Sequence, residues 1–134
     1  MSVTFGAIAV GDELTPLDIS VTPTLIVAGA LASRDYQVVH HDSALARERG
    51  SKDIFMNILT TNGLVARFVT DWTGPDAMIK KIAIRLGAPN YPGDTMHLTG
   101  RVVALTKGEV EIEIRGANSL GDHVTGTVRV GMPR

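Results

Sequence analysis

The chain contains no cysteine. Disulfides and thiolate metal sites are therefore excluded, and the absence fits a reducing cytoplasm, the expected location. It also lacks charge of one sign: the formal balance is −1 over 134 residues, so no electrostatic footprint points to nucleic acid or to an anionic membrane surface. No apolar run approaches the roughly 18 uninterrupted residues of a membrane span. The opening residues Met1-Ser2-Val3-Thr4-Phe5-Gly6 lack the basic start and apolar core of a secretory signal. Internal repeats, linkers and low-complexity tracts are missing too. What is present is a hydrophobic content of 44%, which supports a packed core over disorder. The length suits one domain spanning residues 1–134 and is too short for two. The expectation is a soluble intracellular domain.

Taken in order, Val3 to Leu17 reads as an irregular lead-in with a turn at Gly11-Asp12. Thr22 can cap a helix and Pro23 suits its first position. That helix should reach about Ala32, small enough at Ala28, Gly29, Ala30 and Ala32 to pack closely. Asp42 can cap a second short helix, which runs to Arg49 and stops at Gly50. The longest element is a helix over Ile54–Trp72, about 28 Å at 1.5 Å per residue. It is apolar nearly all round, so it should be buried, with Ile58, Leu59, Val65 and Phe68 in the core. Gly63 in its middle costs roughly 1 kcal/mol of helix propensity and predicts a closely packed neighbour. Gly74-Pro75 stops it.

Beyond that point the pattern changes period. Apolar residues alternate with polar ones at Ile82–Leu86, Met96–Ala104, Val110–Ile114 and Val124–Met132, the mark of an antiparallel sheet with one buried face. Lys107-Gly108 and Ser119-Leu120-Gly121 read as hairpin loops. The fold class is α+β.

Asp35 and His40 are five residues apart, a spacing that cannot bring them together on one helix face. They converge if Asp35 lies on a loop and His40 opens the next short helix. A carboxylate and a neutral imidazole aimed at one water make a general acid/base pair suited to hydration chemistry. Taken alone, an Asp and a His in a loop are more often a cap and a surface residue.

The frame around the pair is more specific. The order Ser33-x-Asp35-x4-His40-x-Asp42-x3-Ala46-x3-Gly50, then Pro92-Gly93-Asp94-Thr95, then Asn118-x-x-Gly121, resembles the MaoC-like (R)-specific enoyl-CoA hydratases over nearly the whole chain. The resemblance implies a single hot-dog, an antiparallel sheet wrapped around a long central helix. It implies water added syn across the double bond of a 2-enoyl-CoA, with Asp35 as the base and His40 holding the water. Backbone amides at the start of the long helix would meet the thioester oxygen, and Asn57-Ile58 stand where the family usually has His-Gly. No cofactor is implied, since coenzyme A is part of the substrate. No metal is expected: His40-His41 has no Glu or Cys cluster to complete a ligand set.

Where the family pattern runs Gly-Asp-x-Asn-Pro-x-His, this chain has Arg34, Gln37 and Val38. With the tract from Gly50 to Trp72, these departures resemble the small subunit of two-subunit members that act in steroid side-chain degradation. That implies a larger MaoC-like partner in a heterotetramer and a bulky acyl-CoA thioester, with Arg34 and Gln37 toward the substrate. Two alternatives stay open, a non-catalytic hot-dog subunit supporting a partner's acyl-CoA site and a homodimeric short-chain hydratase. A thioesterase is disfavoured because no carboxylate precedes the last turn of the long helix. Of the remaining polar residues, His97 reads as a strand-surface histidine and Asp122-His123 as a strand start. Arg67 and Asp71 read as an i,i+4 pair. Lys80, Lys81 and Arg85 read as a solvated strand face, with CoA phosphates the alternative.

Overall fold

The alternating C-terminal half forms strands as its period predicts. The computed structural model, which describes residues 3–134, adds one short strand ahead of it. In chain order the elements are β1 (Leu17–Ser20), α1 (Pro23–Ala32), α2 (Ser43–Glu48), α3 (Ile58–Thr73), β2 (Met78–Leu86), β3 (Thr95–Thr106), β4 (Glu109–Asn118) and β5 (Gly121–Gly131). Single 3-10 turns stand at Phe5–Ala7 and Val38–His40. The strands form one antiparallel sheet in the order β1-β3-β4-β5-β2. In β4 the alternation is cleanest: Val110, Ile112 and Ile114 are buried while Glu111, Glu113 and Arg115 are exposed. Lys107 and Gly108 both have positive φ, 48° and 82°, as a two-residue type I′ hairpin requires.

The core lies between this sheet and α3. Val65, Phe68 and Val69 of α3 are buried with Val102 of β3, Ile112 of β4 and Val128 of β5. Gly100 in β3 admits the Phe68 ring, since a Cβ there would sit 3.1 Å from Phe68 Cε2. Burying each such side chain stabilises the fold by about 1.5–3 kcal/mol. A curved antiparallel sheet against one central helix is the hot-dog that the motifs implied.

Three expectations about the long helix are corrected. It begins at Ile58, because Ile54 to Asn57 lie outside the helix and bond elsewhere: Phe55 N–H donates to Val39 O (3.1 Å) and Met56 N–H to Asn90 O (3.1 Å). The apolar set read as one helix thus belongs to two segments. Ile58 and Leu59 are 49% and 52% exposed rather than in the core. Helical Cα–Cβ bonds tilt toward the N-terminus, so Ile58 in the first turn projects past the helix end. Leu59 is turned about 120° from Val65, given about 100° per residue. Finally, Gly63 has no neighbour: a Cβ there would meet nothing within 4 Å. The close approach is at Gly29 of α1 instead, where a Cβ would lie 2.1 Å from Thr60 Oγ1 of α3.

Candidate active site

Main-chain geometry at the end of α1 sets the position of Asp35, the first candidate side chain. Thr22 caps the helix, accepting from Leu25 N–H at 3.0 Å. At the far end Arg34 N–H donates to Leu31 O (3.1 Å) and Asp35 N–H to Ala30 O (2.9 Å). These two bonds make a Schellman motif. Arg34 takes the left-handed position, with φ 56°, where a side chain costs roughly 1–2 kcal/mol relative to glycine. The chain is thereby turned out of the helix at Asp35. Three residues on, the 3-10 turn Val38–His40 begins and carries His40 inward, and Asp42 caps α2 through Leu45 N–H at 3.0 Å.

The two predicted residues meet. His40 Nε2 lies 3.3 Å from Asp35 Oδ2, with the side chains 9% and 25% exposed. His40 Nδ1 is 2.7 Å from Phe55 O. A carbonyl can only accept, so Nδ1 carries the proton, and in the neutral ring Nε2 presents a lone pair beside the carboxylate. The Phe55 ring meets the imidazole edge-on, centroids 4.9 Å apart at 81°.

Asp35 is held as a carboxylate. Its Oδ2 accepts from Asn57 Nδ2 at 3.1 Å and its Oδ1 from Gln37 N–H at 3.3 Å. Its acidity is raised: the Asn57 bond, the largest influence, pulls the pKa below the ordinary carboxylate value against a smaller opposing effect of burial. The Gln37 amide and His40 add to the lowering.

Asn57 is buried and caps α3. Its Oδ1 accepts from Thr60 N–H (3.0 Å) and Thr60 O–H (2.5 Å), while Nδ2 also donates to Ser33 Oγ at 3.0 Å. The amides of Ile58 and Leu59, next in the first turn, meet no acceptor among the described residues. They stand at the positive end of the α3 dipole. Arg34 and Gln37 are exposed at the rim. Among the described residues neither side chain is held by a hydrogen bond or ion pair, although the Gln37 main chain serves Asp35. Leu31 and Tyr36, close to Arg34 and Asp35 in the chain, and Ile58 and Leu59, directly after Asn57, are 50%, 65%, 49% and 52% exposed.

Sequence reasoning missed the supports. His123 is 1% exposed. Its Nδ1–H donates to Ala88 O at 2.7 Å, and its Nε2 accepts from Thr61 O–H of α3 at 2.8 Å. Burial lowers its pKa, partly offset by the Ala88 carbonyl. Alternation read back from Val124 places residue 123 outward. The pairing of β4 with β5 shifts at Gly116/Ala117, and the shift lets both residues face inward. The Asn118 motif is likewise a support: Asn118 Nδ2 donates to Pro89 O (3.0 Å) and Asn90 Oδ1 (2.8 Å), and Asn90 O in turn holds Met56 N–H. Asp94 anchors the β4–β5 turn by accepting from Ser119 O–H at 2.7 Å. His97 is on the surface as expected, paired with Asp18 at 2.6 Å, and Arg67 pairs with Asp71 at 3.5 Å. Among the described residues no group of three His, Asp or Glu side chains converges as a metal would need, and no helix is long and apolar enough to cross a membrane.

Residues 7–123 match the family model described as the MaoC like domain. The chain is 53% identical over 123 residues to the 3-oxo-4,17-pregnadiene-20-carboxyl-CoA hydratase beta subunit of Mycobacterium tuberculosis, covering 92% of this chain and 95% of that one. It superposes on a chain of the crystal structure of the ChsH1-ChsH2 complex from Mycobacterium tuberculosis with a TM-score of 0.91 at 52% identity, covering 92% of this chain and 98% of the other. The unliganded R-hydratase PhaJ1 of Pseudomonas aeruginosa matches at a TM-score of 0.90 over 99% of this chain and 87% of its own, with 21% identity, a likeness of fold.

Proposed function

The chain belongs to the MaoC-like family, and from that premise we propose that it is the small, dyad-bearing subunit of a hydratase acting on a steroid side-chain enoyl-CoA. The observation that carries this reading is the approach of Asp35 Oδ2 to His40 Nε2 with Nδ1 committed to Phe55 O. Two acceptors side by side suit the two O–H groups of one water. Asp35 takes a proton as the water oxygen bonds to C3, and the C2–C3 π electrons move to the thioester oxygen as an enolate. The enolate collapses as a proton from the dyad reaches C2. One hydrogen of the water ends on C2 and the other stays on the new hydroxyl, so the atoms balance. The amides of Ile58 and Leu59 are the donors best placed to meet the developing oxyanion.

The apolar rim supports a partner. Leu31 and Tyr36, near Asp35 in the chain, and Ile58 and Leu59, next to Asn57, expose large side chains, as half of an acyl groove would. The beta subunit that this chain resembles gives the substrate class its model. We assign the other half to a larger MaoC-like subunit, in a heterotetramer of two small and two large chains. Arg34 and Gln37 face that groove.

The test is to purify the chain alone and co-expressed with such a subunit, then follow hydration of a steroid enoyl-CoA and of crotonyl-CoA. Asp35→Asn and His40→Ala should each lower turnover by about 10²–10⁴-fold with the fold intact, the range for general acid/base groups. Near-normal turnover in either variant would sink the dyad assignment. Full activity of the lone chain on crotonyl-CoA, with none on the steroid thioester, would replace this reading with a homodimeric short-chain hydratase.

A further inference from the structure

We propose that Asn57 is a positioning residue: its side-chain amide fixes the Asp35 carboxylate to the start of α3 and keeps Oδ2 turned toward His40. The inference deepens the hydratase reading and rests on it for its catalytic meaning.

The hydrogen-bond inventory of this one side chain is complete. A primary amide offers two N–H donors and two carbonyl lone pairs. Oδ1 meets Thr60 N–H and Thr60 O–H, and Nδ2 meets Ser33 Oγ and Asp35 Oδ2. The orientation is not a free choice. Thr60 N–H can only donate, so the oxygen must face the helix and the nitrogen must face Asp35. Ser33 Oγ in turn donates to Gly29 O at 2.7 Å, which ties the same amide to the end of α1. No capacity is left for a substrate, so this side chain acts through Asp35 and not on the reacting atoms.

The consequence for Asp35 is electrostatic as well as geometric. The donated N–H favours the ionised carboxylate, and it is the largest influence lowering that pKa. His40 is the one charged or titratable side chain with a part in the shift; Arg34, next in the chain, has none. Without Asn57 the largest of the influences that lower this pKa is lost, and burial is opposed only by the Gln37 amide and His40.

The decisive variant is Asn57→Asp. It keeps the shape and the cap, since an aspartate accepts from Thr60 N–H as well as asparagine does. It replaces the donor facing Asp35 with a second carboxylate oxygen. Two carboxylates at hydrogen-bond distance cannot both ionise freely. The helix dipole favours charge on the capping one, so the shared proton falls on Asp35. Asn57→Gly is the companion: glycine is tolerated at a helix cap, and it deletes the donor.

Two measurements separate the roles. Carbon-detected NMR titration of the Asp35 carboxyl in the full chain should show its pKa raised in both variants, more in Asn57→Asp. In the active protein the acid limb of the kcat/KM profile should move to higher pH. At mildly acidic pH kcat/KM should fall about 10- to 100-fold, the scale of a misplaced catalytic group, and Asn57→Asp should melt lower at neutral pH, where the two carboxylates repel, than at mildly acidic pH, where they share a proton. An Asp35 titration unaltered in Asn57→Asp would overturn the proposal and leave Asn57 a cap. The titration needs no turnover, so an unaltered protein without hydratase activity would strike the hydratase reading alone.

Discussion

Gly29→Ala and Gly63→Ala add the same methyl group to two helices and should change stability in opposite directions. At position 63 the new Cβ meets nothing within 4 Å, and the residue has ordinary negative φ, since it is absent from the positive-φ glycines. Only the backbone entropy of the unfolded chain changes there, so the lone chain should gain about 0.5–1 kcal/mol. Position 29 gains the same propensity but meets Thr60 at three atoms: Oγ1 at 2.1 Å, Cγ2 at 2.8 Å and Cβ at 3.0 Å. Rotating the threonine about χ1 moves two of these and leaves the third, so α1 and α3 must separate. Overpacking of this kind costs about 1–3 kcal/mol. The Thr60 hydroxyl also loses its bond to Asn57, worth about 1 kcal/mol. The net expectation for Gly29→Ala is a loss of about 1–3 kcal/mol, or a melting temperature lower by about 3–5 °C per kcal/mol. Thermal and urea unfolding of both variants, followed by far-UV circular dichroism at one protein concentration, measures the pair. If Gly29→Ala proved as stabilising as Gly63→Ala, the α1–α3 crossing described above would be wrong.

The remaining predictions concern the rim and the buried histidine. Ile58→Ala and Leu59→Ala should change the stability of the lone chain by no more than about 0.5 kcal/mol, as exposed positions do, yet weaken assembly with a larger subunit; analytical ultracentrifugation of the mixture reads both. His123 is neutral in the fold and its pKa is depressed by burial, so the unfolded chain binds a proton first as pH falls. Stability should therefore be fully present above about pH 6.5, the ordinary histidine value, and decline as pH drops from there toward the lowered folded pKa. His123→Gln should flatten that part of the urea-midpoint profile, and an unchanged slope would remove His123 as its cause.

How much of this was legible in the sequence differs by element. Strands β3, β4 and β5 follow from period two because each has one face in the core and one in water. The caps at Thr22 and Asp42 follow from local chemistry, since the acceptor and the amide it serves are three residues apart. The start of α3 did not follow. A buried segment outside any helix and a helix both demand apolar residues, and Ile54 to Ile58 satisfy either. The bonds from Phe55 to Val39 and from Met56 to Asn90 decide it, and no local pattern encodes pairings over those separations. The dyad was legible through its motif, and the network behind it was not. Asn57 read as a source of backbone donors because cap and carboxylate partner are distinguished only by where Ser33 and Asp35 come to rest. His123 was hidden by a bulge in its own strand, where it is the residue skipped between the pairings of Val124 with Gly116 and Asp122 with Ala117.

The Schellman turn after α1 separates where Asp35, the proposed base, stands from what surrounds it. Asp35 is located by main-chain bonds from residues 34 and 35 to carbonyls of α1, and those bonds do not depend on the side chains at 34, 36, 37 or 38. Of these four, Arg34, Tyr36 and Gln37 are exposed, and Val38 is partly so. The side chains at 36, 37 and 38 can therefore be changed with those bonds in place, so long as position 37 keeps the N–H that serves Asp35. Saturation libraries at these positions would vary the surroundings of the Asp35 carboxylate while its main-chain anchor stays in place, and glycine at 34 would relieve the backbone strain there.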